Sequence, residues 1–140
     1  MTILVNDQTR LLLKNVPYFR NVDEPVLRRL AEVVVPRHYQ AGEIIFLEDE
    51  PDAGLHIVVE GLCKVYRLSA GGREQVLAVL KPGDSCNEVP VVDGGPNPAN
   101  LVALEDSTVW VISAEALTRL RHEFPQLNEA IIRNLAMRCR

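Results

Sequence analysis

The sequence predicts a mainly β domain, an antiparallel sandwich or barrel with helices at both ends. Between residues 33 and 113, short β-rich runs are broken by turn residues roughly every 8 to 12 positions, the cadence of antiparallel sheets. No helix-length pattern separates those runs, which disfavours a parallel βαβ sheet. The 140 residues are 47% hydrophobic, enough for one domain with its own core and too apolar for a disordered chain.

Taken in order, residues 1–32 form the first helical part. Asn6 is placed to cap a short helix running to about Lys14, with Leu11, Leu12 and Leu13 as its apolar side. Asp23 is placed to cap a second helix with Pro25 in its first turn, and Val26, Leu27, Leu30 and Ala31 recur on one face. The β-rich part, residues 33–113, reads as strands Val33–Val35, Ile44–Leu47, His56–Val59, Cys63–Leu68, Gln75–Leu80, Leu101–Leu104 and Val109–Ile112. Trp110 and Tyr66 alternate with aliphatics there and read as packing residues. Residues 114–140 return to helix. Ser113 is a good N-cap, Leu117, Leu120 and Phe124 make a stripe, and Pro125 opens a last helix lined by Leu127, Ala130, Ile131, Asn134 and Leu135. That helix has no glycine cap before Arg140, so the expectation is an element cut in mid-course.

Fifteen basic residues against 19 acidic ones give a net charge of −4, the wrong sign for a chain whose main partner is nucleic acid. No apolar run is long enough to span a bilayer, and MTILVNDQTR lacks a basic leader ahead of an apolar stretch. Cys63, Cys86 and Cys139 have no metal-ligand or CxxC spacing, so free thiols in a reducing cytoplasm are expected. His38, His56 and His122 form no HxH pair, and Glu48 to Asp52 do not have the spacing of a calcium loop. Arg28, Arg29, Arg119 and Arg121 read as solvent-facing helix positions.

One segment, Lys81 to Ala99, is unlike ordinary barrel scaffolding. A strand leads through Pro82-Gly83-Asp84 to a one-turn helix near 88–92, followed by the Gly/Pro/Asn-rich stretch Gly94 to Pro98. The first amides of a short helix attract anions, and Glu88 beside them would accept hydrogen bonds from neutral hydroxyls. That combination suits a ligand carrying a phosphate and a sugar hydroxyl. The plainer alternative is that Glu88 caps its own turn and the glycines only make a tight loop.

The chain resembles the cyclic-nucleotide-binding sensor domain of Crp/Fnr transcription regulators. Gln40 to Phe46 is similar to the family's opening strand pair, Leu55 to Gly61 with Cys63 to Tyr66 to its central hairpin, Pro82 to Ala99 to its phosphate-binding cassette, and Asp106 to Ile112 to its last strand. The resemblance implies a double-stranded β-helix (jelly-roll) barrel flanked by helices, with ligand contacts at Asn87, Glu88, Val89, Asn97, Pro98 and Ala99. It departs from the family where phosphate is bound. Asn87-Glu88 stands for the usual Gly-Glu, and Asn97-Pro98-Ala99 stands for Arg-x-Ala. Asn97 lacks the charge and bidentate fork of arginine, and Pro98 lacks an N–H. Loss of one charged hydrogen-bonding group weakens binding roughly tenfold to a hundredfold. No cofactor is certain on this reading. Cyclic AMP or cyclic GMP should bind weakly, and Asn97→Arg should raise that affinity.

The resemblance further implies a regulatory domain rather than an enzyme. A small-molecule pocket would be coupled to a dimerisation helix (Leu127, Ile131, Leu135) in a homodimer, and DNA would be reached only through a separate helix-turn-helix domain. The rival readings are a ligand-free interaction domain and a cupin-like metal enzyme. The second needs a cluster of histidines and a carboxylate that the sequence does not offer. The 140-residue chain should bind duplex DNA only non-specifically. A gel-shift titration checks this, and salt-resistant, sequence-specific retention is the contrary result.

Overall fold

In the computed structural model, residues 9–139 are described. Residues 9–14 are helical (α1), and the expected Asn6 cap lies outside the described residues. A 3-10 turn at Pro17–Phe19 and helix α2, Glu24–Val33, follow. The strands are β1 Val35–Tyr39, β2 Ile44–Phe46, β3 Leu55–Glu60, β4 Cys63–Leu68, β5 Glu74–Leu80, β6 Ser85–Cys86, β7 Asn100–Ala103 and β8 Ser107–Ile112. Helix α3, Val89–Asp93, lies between β6 and β7, and α4, Ala114–Glu123, and α5, Pro125–Arg138, follow β8. All strand pairs are antiparallel, in two four-stranded sheets ordered β1-β8-β3-β6 and β2-β7-β4-β5. No helix among the described residues is long and apolar enough to cross a membrane.

Two features differ from the sequence-based expectation. Val33 ends α2 instead of opening a strand, and the first strand, Val-Pro-Arg-His-Tyr, starts at Val35. Its residues are mostly exposed and include Pro36, so it carries no alternating apolar signal. It survives as a strand because it sits at a sheet edge, where a proline removes no essential ladder bond. The two-residue β6 is too short to leave a periodic pattern, and it exists only through its pairing with β3, His56 opposite Cys86 and Ile57 opposite Ser85.

The β3–β8 pair explains how two cores are built. Side chains alternate across a strand. Leu55 and Ile57 of β3, with Trp110 and Ile112 of β8, point to one face and pack with Leu13, Phe19, Leu27, Leu30, Leu117 and Leu127 of the helical layer. Val58 and Val109 point the other way and join Phe46, Cys63, Leu80, Cys86 and Leu101 between the sheets. The second sheet therefore turns its far face to solvent, and Val76, Leu77 and Val79 of the edge strand β5 are half exposed or more.

Helix ends are fixed in different ways. Ser113 caps α4 as expected, its hydroxyl accepting from Ala116 N at 3.1 Å. Asp23 precedes α2 but makes no side-chain cap. Its carboxylate accepts from Gln126 Nε2 (3.2 Å) and its N–H donates to Gln126 Oε1 (2.8 Å), which fastens α2 to the start of α5.

The face of α5 expected to serve dimerisation turns largely inward. Leu127 and Ile131 are 0% and 3% exposed within the domain's own helical core, and Leu135 packs against the same cluster. The helix's exposed apolar side chains are instead Ile132 and Met137. Packing of α5 against α4 and the Pro17–Phe19 turn takes the stripe that periodicity alone assigned to a second chain. Leu127→Ala should therefore lower stability by about 2–5 kcal/mol, whereas Ile132→Ala should change it by no more than about 0.5 kcal/mol. Urea denaturation of the two variants measures the contrast.

Candidate functional site

The Lys81–Ala99 segment is anchored at its start by main-chain bonds. Gly83 N donates to Val58 O at 2.8 Å, and Val58 N donates to Asp84 O at 2.9 Å, which extends the β3–β6 pairing into the Pro-Gly turn. The Asp84 carboxylate accepts from Lys81 N at 2.9 Å and closes that turn. After β6 the chain takes a left-handed step at Asn87, with φ 71°. Asparagine tolerates this region better than most residues, so the step usually made by glycine survives the replacement. Helix α3 then runs from Val89 to Asp93, one residue later than expected. Glu88 precedes it without capping it, and Gly94 at φ 72° ends it with its N–H on Pro90 O.

The carboxylate of Glu88 is already engaged. The residue is 4% exposed. Ser85 Oγ donates to its Oε1 (3.1 Å), and Arg138 of α5 donates to Oε2 (3.0 Å) and approaches Oε1 (2.8 Å). Arg138 also donates to Ser85 O at 3.2 Å. A buried carboxylate must be paired to remain in a protein interior, and the guanidinium of the last helix supplies the pair. From sequence, Glu88 is either free to meet a ligand hydroxyl or the cap of its own turn; the tertiary fold instead gives it a partner 50 residues away.

Asn97 is likewise occupied. It is 1% exposed. Its Nδ2 donates to Leu47 O (3.0 Å), and its Oδ1 accepts from Ala53 N (3.0 Å) and from Asn87 Nδ2 (3.0 Å). Its backbone exchanges bonds with Glu50 O and Asp49 N, both at 2.9 Å. Asn87 Nδ2 also donates to Gly54 O at 3.0 Å, while its Oδ1 is buried with no partner. Where the resembled family places an arginine for phosphate, this chain thus places a neutral amide clamp joining the cassette to the 47–53 loop. Ala99 is buried, and Val89 and Pro98 are exposed. Asn87 and Asn97 are brought into direct contact, and Glu88 is turned toward α5. No lysine or arginine lies between Pro82 and Ala103 in the sequence.

Three contributors were missed at the sequence level. Ser85 and Arg138 hold Glu88, as described. Arg121, read as solvent-facing, donates to Val91 O (2.7 Å) and to Asn128 Oδ1 (2.7 Å), tying α4 to the cassette helix. A carbonyl at the C-terminal end of a one-turn helix is a natural partner for a cation, but only the fold brings the two together.

Nearby, His56 is 4% exposed, edge-on to Phe46 with ring centroids 4.9 Å apart, and its Nδ1 lies 3.0 Å from Gly54 O. Burial pushes its pKa down from 6.5 to about 4, against a smaller upward pull from the Gly54 carbonyl. Burial raises the Cys86 thiol well above its usual range, with Glu88 adding to the effect, so Cys86 is held as a neutral packing group. Among the described residues no cluster of three or more His, Cys, Asp or Glu side chains has metal-binding geometry.

Residues 36–124, the strands together with the cassette and α4, match the family of cyclic nucleotide-binding domains. The chain belongs to this family. Its two-sheet architecture is that of the Thermus thermophilus catabolite activator protein, with a TM-score of 0.81 and 27% identity over 88% of this chain and 58% of that one. In sequence it is 26% identical to the CRP-like cAMP-activated global transcriptional regulator of Mycobacterium tuberculosis, over 92% of the chain and 58% of the relative. It is 35% identical to an uncharacterized NTE family protein of the same organism, over 91% of the chain and 21% of that protein. The chain thus spans about a fifth to under two thirds of the relatives it matches. This cyclic nucleotide-binding domain matches CRP-type regulators in both sequence and fold.

The geometry generates two expectations. Asn97→Ala would strand the Ala53 N–H and the Leu47 carbonyl and should lower stability by about 2–4 kcal/mol, read by chemical denaturation. Asn97→Arg, which the sequence suggested would improve a phosphate site, must first open the same clamp, so it should lose comparable stability. His56 has a folded-state pKa below its unfolded value, so the unfolded chain binds the extra proton. Its contribution is complete above about pH 6.5 and is lost as pH falls toward about 4, on the order of 3 kcal/mol in all. Stability measured across that window should fall with acid in the native chain and fall less in His56→Gln.

Proposed function

We propose that this domain is the effector-responsive part of a regulatory protein of the CRP type, in which the state of the cassette is passed to α5 through Glu88 and Arg138. The observation that carries this reading is the ion pair itself. Glu88 in the cassette is where a ligand hydroxyl would compete, and its partner Arg138 sits at the far end of α5. A ligand that takes Glu88 would release Arg138, and a released Arg138 would loosen the last turn of α5. The domain itself is read as non-catalytic, since its relatives of CRP type are regulators and its buried Cys86 and His56 are held neutral.

Cyclic AMP or cyclic GMP would meet this cassette without a cation for the cyclic phosphate and with Asn97 already satisfied. Weak binding follows, because an arginine at that position is worth roughly one to two orders of magnitude in affinity. In a regulator of the resembled type, α5 would continue into a dimerisation helix and a helix-turn-helix domain. A face for a second copy on this helix would use Ile132 and Met137. A cytoplasmic homodimer that reaches DNA only through that further domain is the corresponding picture. The 35% identity to an NTE family protein favours a second host for the same module, a regulatory domain within a larger NTE-type protein.

The test is calorimetry with cyclic AMP and cyclic GMP, joined to hydrogen exchange along residues 125–139. Weak binding with faster exchange in the last turns of α5, reproduced without ligand by Arg138→Gln, is the expected result. Tight binding that leaves α5 unchanged would overturn both the weak-cassette reading and the proposed relay.

A further inference from the structure

A groove of about 440 Å³ lies between the segment around the Pro17–Phe19 turn and α5. Its walls carry three guanidiniums, Arg20 from the turn and Arg133 and Arg138 from α5, against one carboxylate, Glu129. In a chain of net charge −4 this is a local inversion of sign. Arg20 and Arg133 face the groove from its two walls and have no ion-pair or hydrogen-bond partner among the described residues. The side-chain amides of Asn21 and Asn134 add neutral donors beside them.

The tyrosine of the turn supplies the second observation on this groove. Tyr18 lines it, is 3% exposed, and its buried hydroxyl has no hydrogen-bond partner. A buried O–H without an acceptor is uncommon in native proteins, and this donor is left open to a further partner. Burial, with the nearby Glu88 carboxylate, holds this phenol in its protonated, donating form. An unpartnered donor and two unpartnered guanidiniums on the walls of one concave, half-enclosed site match the chemistry of an oxyanion: several acceptor atoms and more than one negative charge.

We propose that this groove is a binding site for a small polyvalent oxyanion, a phosphate ester or a polycarboxylate, held between Arg20 and Arg133 with the Tyr18 hydroxyl as a further donor. The site is separate from the Asn87–Ala99 cassette and has its own lining residues. It adjoins the cassette through one residue. Arg138 borders the groove while its guanidinium holds Glu88, so an anion in the groove competes with that carboxylate for Arg138.

The test is a titration of the isotope-labelled 140-residue chain with pyrophosphate and, separately, with citrate, at a fixed ionic strength of about 0.15 M. Backbone and arginine side-chain resonances are followed. Saturable shifts at Arg20, Asn21, Arg133 and Asn134, complete below about 5 mM of either anion, are expected. The double variant Arg20→Gln with Arg133→Gln should keep the native melting temperature, because both side chains are exposed, and should weaken binding at least about tenfold. Tyr18→Phe should weaken it by a smaller factor in a chain that still folds. Shifts that never saturate, shifts confined to residues 87–99, or an affinity unchanged in the double variant would each overturn the assignment.

Discussion

The buried amide of Asn97 is the constraint on which the cassette depends. Three separate pieces of chain, the 47–53 loop, the left-handed step at Asn87 and the return from α3, meet around one side chain that satisfies a carbonyl, a backbone N–H and a second amide. An interior of this kind has a low tolerance for unpaired polar groups, so the geometry of each piece is fixed by the others. The consequence is chemical. At the position where the resembled family has an arginine for phosphate, the side chain here is hydrogen-bonded to other parts of the chain.

A comparable closure holds on the other side of the cassette. Glu88 faces α5, and its charge is balanced by Arg138 and by the Ser85 hydroxyl. The half-exposed arginine makes this pair weaker than a fully buried one, since solvent screens one partner. A weaker pair suits a link that is made and broken. Arg121, bonded to the carbonyl of Val91, holds the other end of the cassette helix to α4, so α3 is suspended between the two terminal helices. The cassette and the helical layer are therefore joined by direct contacts at Arg121 and Arg138.

The two cores divide the labour of stability. The inter-sheet core is small and includes two thiols, Cys63 and Cys86, whereas the helical layer contributes most of the large buried side chains. Leu127 and Ile131 belong to that layer, which makes α5 a structural wall of this domain. The large apolar side chains that α5 leaves exposed are Ile132 and Met137.

The sequence by itself determined the mainly β class, the placement of most strands, the Ser113 cap and the positive-φ step at Asn87. Each of these is a local property: alternation over a few residues, a hydroxyl three residues before an amide, a side chain that tolerates one backbone region. It could also be seen that the cassette lacks arginine, since that is a statement about identity and spacing. The tertiary structure decided everything that requires two distant groups to meet. The pairing of Glu88 with Arg138, the use of Arg121 on the cassette helix and the clamp between Asn97 and the 47–53 loop span 30 to 50 residues of chain. The apolar stripe of α5 was legible as a stripe, but helical periodicity says only that one face seeks burial. Whether a sheet of the same chain or a second molecule covers it is settled by packing, and here the sheet and its flanking helices reach Leu127 and Ile131 first.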